Sequence, residues 1–186
     1  MSLTIDELTT WEEQLIDQIH RSFGPMEQRT NQLMEANVFG QYYQIHQNYA
    51  LLAQEGNNEA LKRAVFIQWY GVSEPGCYSG IPGTNSWGGG KGLNTVTERN
   101  ILKLAERLIL SDNTDAEFQW MMAWYYLISD FYFEHFLGDL SPLVIKLRLL
   151  NQTRKLWSDG VPSEAVLTGR GQMSDYWLSI RKNHCC

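Results

Sequence analysis

Apolar residues recur every three or four positions along most of this sequence, and this spacing restricts the fold more than any other feature. Near the start the repeat comprises Ile5, Leu8, Trp11, Leu15, Ile16 and Ile19. Such spacing places side chains on one face of an α-helix. Thr4 and Glu7 have the spacing of a capping box, and Gly24-Pro25 is a typical helix end. The first segment is therefore predicted to be an amphipathic helix.

The same signals divide the rest of the chain into further helices. Five more are expected, over about residues 27–55 and 58–74, from about residue 94, over about 114–137 and from about 141, with a short last helix near Ser174. The helix expected over 27–55 carries one apolar stripe, comprising Met34, Val38, Tyr42, Ile45, Tyr49 and Leu52. Thr95 with Glu98, and Thr114 with Glu117, repeat the capping-box spacing. No segment alternates as a strand does. The sequence thus predicts an all-α fold, an irregular bundle of about six helices. It is expected to form a single domain over residues 1–186, in which 161–186 are a short C-terminal helical appendage and tail.

The third predicted helix, about residues 58–74, differs from its neighbours because its apolar side chains cover nearly every direction. They are Leu61, Ala64, Val65, Phe66, Ile67, Trp69, Tyr70 and Val72. A helix that is apolar all round is normally buried on most sides. We therefore expect this helix to lie at the centre of the fold, and the third and fifth helices to be the most buried.

A glycine-rich segment, residues 76–93, separates the third and fourth predicted helices. It reads GCYSGIPGTNSWGGGKGL and is unusually long for a connection without secondary structure. Tyr78, Ile81 and Trp87 could anchor a partner from it, or could fold back as an Ω-loop packed by its own side chains. Its Gly90-Lys91 pair lacks the spacing of a phosphate-binding P-loop, although a looser anion site at the next helix N-terminus stays open. We therefore expect the functional site to lie at this segment.

Composition narrows the classes of partner. The chain has a net charge of −6, and the excess acid lies in residues 1–75, which is poorly suited to nucleic acid. No apolar run is long enough to span a membrane, and no signal peptide is visible. The three cysteines form no disulfide pattern. We expect no nucleic-acid partner, no membrane association and a cytoplasmic location.

Candidate metal ligands do not form a convincing set. Asp130 and Glu134 fall on the expected solvated edge of the fifth helix. His20, His46 and His135 lie on three different helices without a pairing motif. We therefore predict no metal and no cofactor.

Two functional classes remain open. The first, slightly favoured, is a protein-binding module that uses the acidic N-terminal half and residues 76–93 against a protein partner or a second copy of the chain. The second is a small-ligand-binding protein or enzyme with a pocket between the end of the third helix and the glycine-rich segment. The candidate binding residues are Trp69, Tyr70, Glu74, Tyr78, Trp87 and Lys91. No catalytic residue can be assigned.

Overall fold

A computed structural model describes residues 3–83, 92–111, 115–153 and 162–184. These residues form helices and no strand, which confirms the all-α prediction. The helices are α1 Ile5–Arg21, α2 Met26–Glu35, α3 Val38–Gln54, α4 Asn58–Ser73, α5 Gly76–Ser79, α6 Thr95–Leu110, α7 Ala116–Ile128, α8 Asp130–Leu137, α9 Pro142–Thr153, α10 Glu164–Leu167 and α11 Gln172–His184. In the described ranges, none of them is both long and apolar enough to cross a membrane.

Side-chain caps mark the starts of α1, α4, α6 and α7. At α1 the predicted capping box is present, because Thr4 Oγ1 accepts from the Glu7 amide and Glu7 Oε2 accepts from the Thr4 amide at 2.8 Å. At α6 the cap is Asn94 instead of Thr95, and Glu98 is buried in the core. At α7 the cap is Asp115, while Thr114 lies outside the described residues. Neighbouring residues that cap equally well make such one-residue shifts hard to predict.

The helix predicted over residues 27–55 is two helices. The chain turns at Asn37, whose left-handed φ of 54° ends α2 before Val38 begins α3. Asparagine tolerates this conformation better than most residues. The Asn37 side chain lies against Gly40, where an added Cβ would stand 2.3 Å from Oδ1. The apolar spacing continues across the turn, so periodicity alone could not reveal it.

The helix predicted over residues 114–137 is likewise divided. Ser129 separates α7 from α8 with φ −146° and ψ 60°. Its hydroxyl lies 2.8 Å from the hydroxyl of Ser73 at the end of α4. A partly buried tertiary contact therefore accompanies the break, and no Gly or Pro marks it in the sequence.

Helices α4 and α7 lie at the centre of the core, as their sequences indicated. Eleven residues of α4 and eight of α7 are buried. The Trp69 ring stacks on Tyr125 at 4.4 Å between centroids, and Trp120 packs on Trp177 of α11 at 4.7 Å. Trp177 is fully buried. The C-terminal helix is thus part of the aromatic core rather than a surface addition.

A chain of ion pairs holds the N-terminal half of α4 to its neighbours. Glu117 of α7 pairs with both Lys62 and Arg170. Arg170 also pairs with Glu59 at 2.9 Å. Arg63 donates to Glu59 at 2.8 Å and to the Tyr49 hydroxyl at 3.1 Å. Lys62 and Arg63 are almost completely buried, so these contacts compensate charges that have left water.

Candidate ligand-binding groove

The first part of the glycine-rich segment is folded tightly against α4. Pro75 follows α4, α5 forms a single turn, and Gly80 reverses the chain with φ 68°. Ile81 then packs on Gly71, where an added Cβ would lie 2.7 Å from the Ile81 side chain. Ile81 is fully buried. Residues 76–83 therefore pack against the domain, while Trp87 and Lys91 lie outside the described residues.

This fold-back leaves a groove of about 1090 Å³ beside the C-terminal end of α4. One wall is formed by α2 and the start of α3, and the other by the end of α4 and residues 74–83. The apolar lining side chains include Met26, Met34, Phe39, Tyr43, Val72, Cys77 and Ile81. The groove has the concave, mainly apolar character of small-molecule sites, and its volume lies just above their usual range of about 300–1,000 Å³.

Glu74 is the acidic residue on the groove wall, and it is half-buried at the C-terminal cap of α4. Burial raises the pKa of its carboxyl group above the usual range. Among the described residues, no cation forms an ion pair with this carboxylate and no donor hydrogen-bonds to it. A partly desolvated carboxylate without a partner favours a ligand that brings a donor.

The Cys77 thiol also lines the groove and is nearly inaccessible to solvent. Burial raises its pKa, and the positive charge of Arg29 lowers it in part. A raised pKa keeps the sulfur protonated, so Cys77 contributes an apolar surface rather than a reactive thiolate.

The predicted site residues divide between three places. Glu74 lines the groove, whereas Tyr70 and Tyr78 line a smaller pocket on the other side of α5. Trp69 lines neither cavity, because its ring is 1% exposed and its Nε1 donates to the Tyr125 carbonyl at 3.1 Å. Its position on the inner side of α4 makes it a core residue.

A buried polar layer lies about one helical turn below the groove. His46 and Glu98 follow the groove residues Tyr43 and Asn94 by about one helical turn, and Gln68 precedes the groove residue Gly71 by about one turn on α4. His46 Nε2 is 3.1 Å from Gln68 Oε1, while the Gln68 amide donates to the Glu98 carbonyl at 3.4 Å. Tyr132 donates to Glu98 Oε1 at 3.4 Å. The layer joins four helices beneath the groove floor.

Burial is the main cause of the shifted pKa values of Glu98 and His46 in this layer. It raises the pKa of Glu98 to about 8 and lowers the pKa of His46 to about 4. Both groups are therefore uncharged near pH 7. Among the described residues, Glu98 Oε2 and His46 Nδ1 have no hydrogen-bond partner, and buried polar atoms without a partner destabilise the fold.

The candidate metal ligands do not assemble. His46 is buried against Gln68, whereas His20 and His135 are exposed. Glu134 is hydrogen-bonded to Tyr126 at 2.9 Å and to Arg148 at 2.8 Å. In the described parts of the chain, no group of three or more His, Cys, Asp or Glu side chains could hold a metal ion.

Sequence reasoning missed the α2–α3 wall of the groove. Met34 was expected on the inner face of one long helix, but it is 48% exposed and lines the groove with Phe39 and Tyr43. The turn at Asn37 changes the direction of the chain and so moves Met34 away from the face that periodicity assigned to it. The sequence feature that could have indicated this turn is Asn37 followed three residues later by Gly40, and it is a weak signal.

The chain was also compared with known proteins. No protein-family model matches it, and neither the curated proteins nor the solved structures gave a significant match.

Proposed function

We propose that the protein binds a small, mainly apolar molecule in the groove, with a hydrogen-bond donor of the ligand directed at Glu74. The observation that carries this proposal is the combination of a large apolar groove with one half-buried carboxylate that no described residue pairs. Amines, amides and hydroxyl groups all supply the required donor. The apolar part of the ligand would supply most of the binding free energy, and Glu74 would orient it.

The side chains that line the groove are able to fit apolar ligands of different shapes. Met26 and Met34 stand at the rim, where they are 51% and 48% exposed. Methionine side chains are flexible and polarizable, so they adjust to different apolar surfaces. Phe39 and Tyr43 add aromatic rings that are half-buried and thus already positioned. Met26 and Met34 thus form a deformable rim, whereas Phe39 and Tyr43 form a more rigid part of the wall.

The protein-binding role predicted from the acidic N-terminal half is the second candidate. Its support is that Phe23, next to α2, is 67% exposed and lies close in sequence to the exposed Met26. Exposed apolar groups in sequence proximity are a feature of interaction surfaces. In this alternative, the α2 surface would bury against a partner or a second copy of the chain, and residues 76–93 would contribute from the other wall.

Binding of the neutral apolar dye Nile red tests the first candidate. We expect saturable dye fluorescence with the purified protein. Thr30→Trp should suppress it, because Thr30 lines the groove and is only partly buried. Leu140→Gln is the matched control, since Leu140 is 78% exposed and is not among the groove residues. Equal dye affinity for Thr30→Trp and the wild type would refute the ligand proposal.

Native mass spectrometry and size-exclusion chromatography distinguish the two candidates. A small molecule retained at one per chain supports the groove as a ligand site. A dimer that Phe23→Ser and Met26→Ser dissociate supports the protein-binding candidate instead. Both substitutions are at exposed positions, so they should change stability by no more than about 0.5 kcal/mol.

A further inference from the structure

A second, smaller cavity lies on the opposite side of α5, between α1, α4 and α11. Its volume is about 150 Å³, enough for about five water-sized groups at ~30 Å³ each. Three tyrosines line it, Tyr70 from α4, Tyr78 from α5 and Tyr176 from α11. Three separate helices thus bring aromatic rings to one small pocket, which the groove does not include.

The rings of Tyr70 and Tyr176 are held in place by the core. Their centroids are 5.4 Å apart and their planes are inclined by 59°, which makes an aromatic corner. Phe66 stacks on Tyr70 at 5.0 Å. The Tyr176 hydroxyl accepts from Trp124 Nε1 at 2.7 Å, which leaves the ring as the surface available to the pocket. The corner is therefore formed before any ligand enters.

Two carboxylates place negative charge around this corner. Asp175 lines the pocket, and Glu74 stands close enough for its charge to raise the pKa of both Tyr70 and Tyr176 beyond the effect of burial. Asp175 also raises the pKa of Tyr70. Neither carboxylate has an ion-pair partner within 4.0 Å among the described residues. The pocket therefore combines aromatic ring surface with uncompensated negative charge.

From this combination we propose that the small pocket binds the ammonium group of a small organic cation. A cation over an aromatic face is attracted by the ring quadrupole, and enclosure by several rings with a carboxylate is a recurring solution for quaternary ammonium groups. The five non-hydrogen atoms of a tetramethylammonium ion match the available volume. The proposed site is separate from the groove, and it stands whether or not the groove binds an apolar ligand.

Two basic side chains, Arg29 and His20, lie near the pocket. Arg29 lies over the Tyr78 ring, 4.9 Å from the centroid, and shows that this ring already attracts a cation. The carbonyls of Ser22, Cys77 and Ile19 hold the Arg29 guanidinium on its own side. His20 lines the pocket and acts electrostatically on Asp175.

Tetramethylammonium chloride is the probe for the test, with sodium chloride held at matched ionic strength. We expect saturable shifts of the backbone amide signals of His20 and Ser179, which line the pocket. Neopentyl alcohol, an uncharged molecule of similar shape, should bind at least about fivefold more weakly because it lacks the charge. Absence of saturable shifts, or equal affinity for the alcohol, would overturn the proposal.

Substitutions at Tyr78 and Asp175 separate the contribution of the aromatic rings to binding from that of the carboxylate charge. Tyr78→Ala and Asp175→Asn should each weaken tetramethylammonium binding by about fivefold or more, whereas Tyr78→Phe should retain it because the ring remains. Tyr78 is 46% exposed, so its removal should leave the fold intact. Asp17→Asn is the charge-matched control on α1, since its carboxylate is exposed and pairs with Arg21. Unchanged affinity in both Tyr78→Ala and Asp175→Asn would also contradict the site.

Discussion

The charged side chains at the two ends of α4 differ in whether a residue of opposite charge compensates them. Near its start, Lys62 and Arg63 are buried and compensated by Glu117 and Glu59. Past its end, Glu74 is half-buried on the wall of the groove, and its carboxylate has no partner among the described residues. Compensated charges stabilise one arrangement of helices, while an uncompensated charge is available to a ligand. The difference teaches that ion pairs fix the start of α4, whereas its end carries a carboxylate that no described residue compensates, and it is there that we propose a ligand binds.

The largest expected effect is at the compensated end. Glu117→Gln removes the negative charge that Lys62 and Arg170 share. Breaking a buried ion pair by neutralising one partner typically costs about 3–5 kcal/mol, and we expect a loss of at least about 2 kcal/mol here because Asp115 and Glu59 retain part of the compensation. Urea denaturation followed by circular dichroism measures it. A loss below about 0.5 kcal/mol, as for an exposed pair, would remove the distinction between the two ends.

The next effect concerns pH, and it arises from two buried carboxyl groups, Glu98 in the polar layer below the groove and Glu12 on α1. Burial raises the pKa of Glu98 to about 8 and that of Glu12 to about 7. The folded state therefore keeps protons that the unfolded chain has released above its ordinary carboxyl pKa of 4.5. Because the folded state binds more protons, the free energy of unfolding falls as pH rises through this range.

His46 acts in the opposite direction. Its pKa of about 4 in the folded state keeps it neutral, whereas the unfolded imidazole takes up a proton below pH 6.5. His46 therefore adds stability as pH rises from about 4 to 6.5 and offsets one of the two carboxyls there. Above pH 6.5 it has no further effect. The decline should be clearest between pH 6.5 and 8, with a slope of about 1.4 kcal/mol per pH unit for each proton retained.

Glu98→Gln sharpens this prediction because it removes one of the two buried acids. The free energy of unfolding of the variant should change less between pH 7 and 8 than that of the wild type. Glu13→Gln is a suitable control, since Glu13 is exposed on α1. A wild-type stability that rises from pH 6.5 to 8 would show that Glu98 and Glu12 are not buried as the structure places them.

Local signals made the fold class predictable. The apolar repeat and the Thr4–Glu7 capping box depend on neighbours within one or two turns, and both are confirmed. The breaks at Asn37 and Ser129 were missed because the apolar repeat continues through them, and at Ser129 a contact with Ser73 accompanies the break. The predicted capping roles of Glu98 and Glu117 were wrong because both carboxylates contact residues that are distant in sequence. Glu98 accepts a hydrogen bond from Tyr132, and Glu117 pairs with Lys62 and Arg170.

The candidate site was predictable in part. The end of the central helix was selected from sequence as the place for a pocket, and Glu74, Tyr70 and Tyr78 line cavities there in the structure, although their binding role stays a prediction. Trp69 was assigned to the same pocket because helical periodicity gives direction and not depth. Tyr176 and Asp175 could not be found, since they reach the pocket from a helix about a hundred residues further along the chain.

The smallest stability effect is expected at Glu74, and its measurement tests the contrast between the two ends of α4 most directly. Glu74→Gln keeps the size of the side chain and removes only the charge, which makes it the counterpart of Glu117→Gln. Because burial disfavours the Glu74 charge and no described residue compensates it, the free energy of unfolding should stay within about 0.5 kcal/mol of the wild type or rise. A loss of about 2 kcal/mol or more would mean that Glu74 is a paired, stabilising carboxylate, and would contradict its availability to a ligand.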